Sequence, residues 1–350
     1  MVDAEGCIIC PGWVNAHDHL DLSVYPRLAP NAPYSDGHAW GMDVLGHIAN
    51  NPKWVALGTI PLERRLAWGV LRNLLHGVTT VSHHNAPPDL ATRLKLPIRL
   101  HTTRFWVHSV REIRRLHRMA VLAKTLRQPL ILHAAEAVSG LATREIAQLF
   151  EWGSINDHTI LVHAVSASPD ELDSIRKKNA ALVTCVTSNQ LVLGNCADLS
   201  AWNGRKIRSG LGTDSPLTAV GGMLDEIQAA VTLGGLSSTD ALRWATVGGA
   251  QVLRLRVGRL CPGWPADFVV YRARATCAEE LVWLRPDQVE LVCVRGKPEL
   301  TIGARKNEME QLGRTPKSVV VGGNEVWVDS TFADCLGNFN AIHPAGGGTP

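Results

Sequence analysis

Four short apolar runs, each closing on a side chain able to bind a metal, constrain this chain more than any other feature. The first is Pro11-Gly-Trp-Val-Asn-Ala-His17-Asp-His19. Side chains two apart on a strand share a face, so His17 and His19 can offer two imidazole nitrogens to one point. Further on, Pro129-Leu-Ile-Leu-His133 leads into Ala-Ala-Glu136, Thr159-Ile-Leu-Val-His163 into Ala-Val-Ser166, and Ser209-Gly-Leu-Gly-Thr-Asp214 into Ser215-Pro216. Each places its polar group at the C-terminal end of a buried-looking strand, where a parallel α/β barrel gathers its active site. A lone His-x-His is weak evidence for a metal, and the series is what gives it weight.

Between these runs the pattern alternates strand and helix. Leu62, Leu66, Val70 and Leu74 recur every four residues between Pro61 and Gly77, which predicts a helix. Gly77-Val-Thr-Thr-Val-Ser-His83-His84 is β-branched and reads as a strand, and adjacent residues face opposite sides, so only one of His83 and His84 can point into a barrel mouth. Pro97 to Thr103 reads as another strand. Helices are expected near 109–126, 143–152 and 169–178, with a further strand over 181–187. Only one clear strand lies between His84 and Pro129, where an eight-stranded barrel wants two. The segment from Ser23 to Gly58 is rich in Pro, Asn and Gly, and it is expected to be a long loop lying over the mouth as a substrate lid.

Composition excludes more than it assigns. A net charge of +3 creates no strong field, so neither nucleic acid nor an acidic membrane surface is implied, and no window approaches a membrane span. The N-terminus has no basic region followed by an apolar run, which gives the expectation of a cytoplasmic protein. The eight Cys are scattered through apolar segments and suit reduced thiols better than a disulfide framework. Arg111, Arg114, Arg115 and Arg118 fall at helical spacing and read as a solvated helix face.

Taken in order, the motifs resemble the amidohydrolase superfamily, specifically its cytosine-deaminase-like and chlorohydrolase-like branch. The resemblance spans roughly residues 8–300: Pro11 to His19, Gly77 to Val81, His133-Ala-Ala-Glu136, Leu161-Val-His163, Thr187-Ser-Asn189, Leu211-Gly-Thr-Asp214-Ser, and Gly258-Arg-Leu-Cys-Pro-Gly263-Trp-Pro-Ala-Asp267. It implies an α/β fold, a (β/α)8 TIM-like barrel over 11–256 with one βα unit shortened or missing. A small β-sandwich appendage would be built from 1–10 and 257–331, its last strands a hairpin around Gly322-Gly323-Asn324. Residues 332–350 lack apolar periodicity and are expected to be a disordered tail.

The resemblance also implies a site. His17, His19, His133 and Asp214 would hold one divalent ion, Zn²⁺ with Fe²⁺ or Mn²⁺ as alternatives, because the recognisable strands carry no lysine placed to bridge two ions. Ion-bound hydroxide would attack an sp² carbon of a small cyclic, nitrogen-containing substrate, with Asp214 taking the water's proton and Glu136 protonating a ring or leaving nitrogen. His163 is either a further ligand or the group that holds the attacking water, the second being its role in mononuclear relatives. His84, His101, Arg104 and Asn189, with His108, are weaker candidates for substrate contacts. The expected activity is hydrolytic deamination. Hydrolysis of a cyclic amide or a carbon–halogen bond at the same site, or a non-catalytic binding protein on the same fold, are the alternatives. The expected partners are a small-molecule substrate and a second copy of the chain in a homodimer.

Overall fold

The computed structural model describes residues 4–85 and 94–337. Its strands are β1 (Ile8–Pro11), β2 (Trp13–Asp18), β3 (Val78–His83), β4 (Arg99–His101), β5 (Trp106–Val107), β6 (Leu130–Ala134), β7 (Thr159–His163), β8 (Ala181–Thr184), β9 (Arg208–Leu211), β10 (Phe268–Tyr271), β11 (Val289–Val294), β12 (Lys297–Ile302), β13 (Pro316–Val321) and β14 (Asn324–Asp329). Eight of these, β2 to β9, form two parallel sheets ordered β2-β3-β4 and β5-β6-β7-β8-β9. The sheets meet at one seam, where Asp18 and Asp214 form a parallel bridge and the amides of Thr213 and Asp214 donate to the His17 carbonyl at 3.0 and 3.1 Å. This is the TIM-barrel type of α/β architecture, with no ladder joining β4 to β5 among the described residues. Those two short strands are separated only by Thr102 to Phe105, a connection with no room for a helix.

Helices form where the sequence gives them an apolar stripe and an end signal. Leu62–Leu75 buries Leu66, Val70 and Leu74 and stops before Gly77, whose φ of +77° is the left-handed conformation glycine tolerates. Pro169–Lys177 opens with a capping box, Ser168 accepting from the Glu171 amide while Glu171 accepts from the Ser168 amide. Ile113–Thr125 and Glu145–Glu151 occupy the other two helical stretches. The strand expected over 181–187 ends at Thr184, and Val186–Leu193 is a helix, so Thr187, Ser188 and Asn189 lie on its first turns.

The segment expected to be a loop over 23–58 contains two helices, Gly37–Asn50 and Pro52–Gly58. The signals are caps outweighing the glycines. Asp36 accepts from the Ala39 amide, and Asn51 accepts from the Lys53 amide ahead of Pro52 at the first helical turn. The segment does run across the C-terminal ends of the strands. Leu28 donates to the Leu217 carbonyl beyond β9, Tyr34 to Val192 beyond β8, and Gly37 to Glu136 beyond β6.

β1 joins the five C-terminal strands in one antiparallel sheet, ordered β1-β10-β11-β12-β14-β13. The hairpin β13-β14 turns through Gly322 and Gly323, at φ +57° and +82°, as a tight two-residue turn demands. The expected tail begins as structure rather than disorder: Ser330–Leu336 is a helix that buries Phe332, Ala333 and Leu336, and the Trp68 indole donates to the Leu336 carbonyl at 2.9 Å. Only 338–350 of that expected tail lie outside the described residues. No helix among the described residues is long and apolar enough to cross a membrane.

Candidate active site

His17 and His19 sit at the C-terminal end of β2, His133 near the end of β6, and Asp214 three residues past β9. The His17 and His133 Nε2 atoms lie 3.1 Å apart, and the nearer Asp214 oxygen, Oδ1, is 3.8 Å from His17 Nε2 and 3.4 Å from His19 Nε2. Donors each about 2.1 Å from one ion stand no more than about 4.2 Å apart, which these three spacings satisfy; the ligand atoms that all lie within 4.8 Å of one another form two triads sharing His17, one with His84 and His133 and one with His19 and Asp214. Burial, reinforced by neighbouring imidazoles, drives the pKa of His17, His19 and His133 well below the usual histidine value. They are therefore neutral at pH 7, the form that ligates. Gly212 is required beside them, because a Cβ there would come within 2.8 Å of His17 Cβ.

The Glu136 side chain reaches the same place by a turn. β6 ends at Ala134, and Ala135 takes a φ of +54°, its amide donating to the Glu145 carboxylate at 2.7 Å. Glu136 is thereby brought to 3.6 Å from His163 Nε2. Burial pushes its pKa up to about 7, with His163 pulling it down and Asp214 pushing it further up. His163 and Asp214 also have left-handed backbones, φ +74° and +57°, a strain that collects at functional sites.

The helix Val186–Leu193 orients two of these groups. His163 Nδ1–H donates to Asn189 Oδ1 at 2.8 Å, which leaves Nε2 as the acceptor facing Glu136. Ser188 donates to Asp214 Oδ2 at 2.7 Å, occupying the oxygen turned away from the imidazoles. The helix start is held by buried Glu226, which accepts from the Val186 amide at 2.7 Å, the Thr187 amide at 3.2 Å and the Thr187 hydroxyl.

A second layer lies behind β2. Asp18, fully buried, accepts from Arg72 at 2.8 and 2.7 Å, from Asn73 at 2.8 Å, and from Asn15 and Thr213 at 3.0 Å each. Asn15 in turn accepts from the His17 and Thr213 amides at 3.3 and 3.1 Å. The network ties the strand ends of β2 and β9 to the helix Leu62–Leu75 and fixes the backbone from which the two histidines project. Sequence reasoning missed it. The available signal was polar Asn15 and Asp18 in an apolar strand and Arg72-Asn73 inside the buried stretch of a helix.

Of the weaker candidates, His84 lies inside the cluster, its ring 4.7 Å from that of His133 and 5.1 Å from that of His17. His83 turns the other way, accepting from the Leu20 amide at 3.3 Å. His108 stacks on His19 at 5.9 Å and lies at the rim beside Trp106. His101 pairs instead with Ser82 at 3.1 Å, burial lowering its pKa to about 4. Arg104 is exposed, with no hydrogen bond or ion pair to the cluster among the described residues.

The sequence profile of the amidohydrolase family matches residues 89–326, a span holding His133, Glu136, His163 and Asp214. The 5-methylthioadenosine/S-adenosylhomocysteine deaminase of Nitratidesulfovibrio vulgaris (strain DP4) is 25% identical over 326 residues, covering 79% of this chain and 73% of the relative. The 5'-deoxyadenosine deaminase of Methanococcus maripaludis is 21% identical, covering 87% and 85%. Among solved structures, an adenosine deaminase from Xanthomonas campestris with bound zinc superposes with a TM-score of 0.67 at 20% identity, covering 84% of this chain and 80% of that one. A triazine hydrolase from Arthrobacter gives a TM-score of 0.71 at 19% identity, covering 85% and 84%. These structural likenesses speak to the fold.

Proposed function

The chain belongs to the amidohydrolase family, metal-dependent hydrolases of carbon–nitrogen bonds other than peptide bonds, and from that premise we propose that it hydrolytically deaminates an amino-substituted heterocycle. His17, His19, His133 and Asp214 would hold one divalent ion, Zn²⁺ or alternatively Fe²⁺ or Mn²⁺. When bound, such an ion supplies water that ionises near neutral pH and a Lewis-acid centre.

The observation carrying the reading is Glu136, a buried carboxyl with a pKa near 7, facing the Nε2 of a fixed imidazole at the same strand ends as Asp214. Deamination needs a group that gives a proton to a ring nitrogen and another that takes one from water. Glu136 does the first, being protonated in a useful fraction at neutral pH, and Asp214 does the second, with Ser188 fixing its far oxygen. His163, locked as the Nδ1–H tautomer by Asn189, presents Nε2 as an acceptor that holds water in line. A carbon–oxygen bond forms at the amino-bearing carbon, the ring nitrogen gains the Glu136 proton, and the amine leaves as ammonia with the proton that Asp214 took. As the carbonyl forms, the proton of the new hydroxyl passes to Glu136, so water and amine become carbonyl and ammonia and both carboxyls return to their starting states.

The N. vulgaris and M. maripaludis relatives are named for 5'-substituted adenosines, which makes these nucleosides the first substrates to try. The test is ammonia release from 5'-methylthioadenosine, 5'-deoxyadenosine, adenosine, guanine and cytosine, run beside a chlorotriazine. Chloride release without ammonia from any amine would refute deamination. A homodimer paired through β1, an edge strand of the antiparallel sheet, is the assembly we propose, and a monomeric mass by light scattering at micromolar concentration would contradict it.

A further inference from the structure

We infer that His84 is a further ligand of the same ion, making its protein sphere four imidazoles and one carboxylate. This rests on the reading that His17, His19, His133 and Asp214 hold a metal. The backbone of His84 is fixed just past β3, its amide donating to the Asp18 carbonyl at 2.9 Å, so the residue is anchored between the two histidines of β2. Its ring is 1% exposed and is surrounded by those of His133, His17 and His19, with centroids at 4.7, 5.1 and 5.2 Å. One ring nitrogen lies within 4.8 Å of ligand nitrogens on both His17 and His133, which are themselves 3.1 Å apart, and this triad shares His17 with the triad His17, His19 and Asp214, so one ion serves all five donors only by drawing the two triads together.

Both nitrogens of His84 are buried without a hydrogen-bond partner. A neutral imidazole carries one N–H and one lone pair, and a buried polar group left unpaired costs about 1–3 kcal/mol. Such a group calls for an explanation. A substrate contact does not supply one, because both nitrogens are closed to solvent and therefore to an arriving molecule. An ion seated among the neighbouring imidazoles would satisfy the lone pair directly. Five side-chain donors leave one position for water on an ion that accepts six ligands, so this set favours Fe²⁺ or a similar open-shell ion over Zn²⁺, which prefers four.

The test uses the full-length protein stripped by chelation and reloaded with Co²⁺ alone. X-ray absorption at the cobalt edge counts imidazoles in the wild type without any mutation, and four are expected. His84→Ala should then show three, with altered visible d–d absorption and Co²⁺ affinity lowered by more than 100-fold, beyond the 10–100-fold typical of groups acting through a ligand. Circular dichroism of the metal-free variant separates lost coordination from lost folding. Three imidazoles in the wild type, or an unchanged cobalt spectrum in a folded His84→Ala protein, overturns the assignment while leaving the site intact. Absence of any imidazole around the cobalt would instead refute the underlying metal reading.

Discussion

Replacing Arg72 by methionine should be among the most destabilising single changes available in this protein that leave its candidate active site chemically complete. Arg72 is the only cation bonded to Asp18 among the described residues, and both side chains are almost wholly enclosed, at 8% and 0% exposure. Breaking a buried pair strands the remaining charge, at a cost of about 3–5 kcal/mol. Asn73, Asn15 and Thr213 still donate to the stranded carboxylate, so the lower end, about 3 kcal/mol, is expected. Asp18→Asn should cost a similar amount by stranding the guanidinium instead. The double variant should cost much less than the sum, because neither charge is then left alone. Urea unfolding of chelator-treated protein, followed by circular dichroism, measures all three free energies without interference from metal binding. A cost below about 1 kcal/mol for Arg72→Met, or simple additivity in the double variant, would refute the reasoning.

Three other outcomes are expected. Glu136→Gln keeps the shape of the side chain but cannot pass a proton, so metal content should persist while turnover falls by about 10² to 10⁴, whereas His133→Ala should lose metal and activity together; wild-type turnover in the glutamine variant would remove the proton-donor role. Gly37→Ala should lower turnover without changing metal content, because a Cβ there overlaps the Glu136 carboxylate, and an unaffected rate would mean that the carboxylate is not needed where the structure places it. His76 and His101 are held neutral by burial, which lowers each to about 4, below the unfolded value near 6.5, so the stability they contribute is complete above pH 6.5 and is lost as pH falls toward 4. Each should take up to about 1.4 kcal/mol per pH unit from the metal-free protein in that window, and a flat stability profile between pH 7 and 5 would contradict this.

What the sequence disclosed followed from periodicity and strand parity. The strand bearing His17 and His19, the placing of His133, His163 and Asp214 at strand ends, and the helix from Leu62 are all local patterns. The turn that brings Glu136 inward depends on Ala135 adopting φ +54°, a conformation that alanine does not advertise. The helices over 37–58 were hidden because three glycines in Gly37–Asn50 obscured the caps at Asp36 and Asn51. The charged layer of Asp18 and Arg72 was invisible for another reason: it is a contact between residues 54 apart, and no local rule joins a strand carboxylate to a cation on a particular helix turn. The same holds for Glu226, whose task is to close the start of a helix 40 residues upstream.

The seam between β2 and β9 would give an ion bound by the proposed ligands a second office, that of a rivet. The first and last strands of the ring meet there through one bridge and a few long-range bonds, including that from Asn15 to Thr213, 198 residues apart in the chain. Bringing such distant segments together is the costliest closure the barrel must make, and the cost rises with the length of chain enclosed. Two of the expected ligands stand on one side of the join and Asp214 on the other, so an ion bound between them would hold the two sheets together at this seam as a cross-link would. Loss of metal should therefore loosen the barrel first at this join, and ends freed from it would carry His17, His19 and Asp214 apart together. Apo protein would then recover its metal slowly, since the site has to be rebuilt by the same closure that the ion secures.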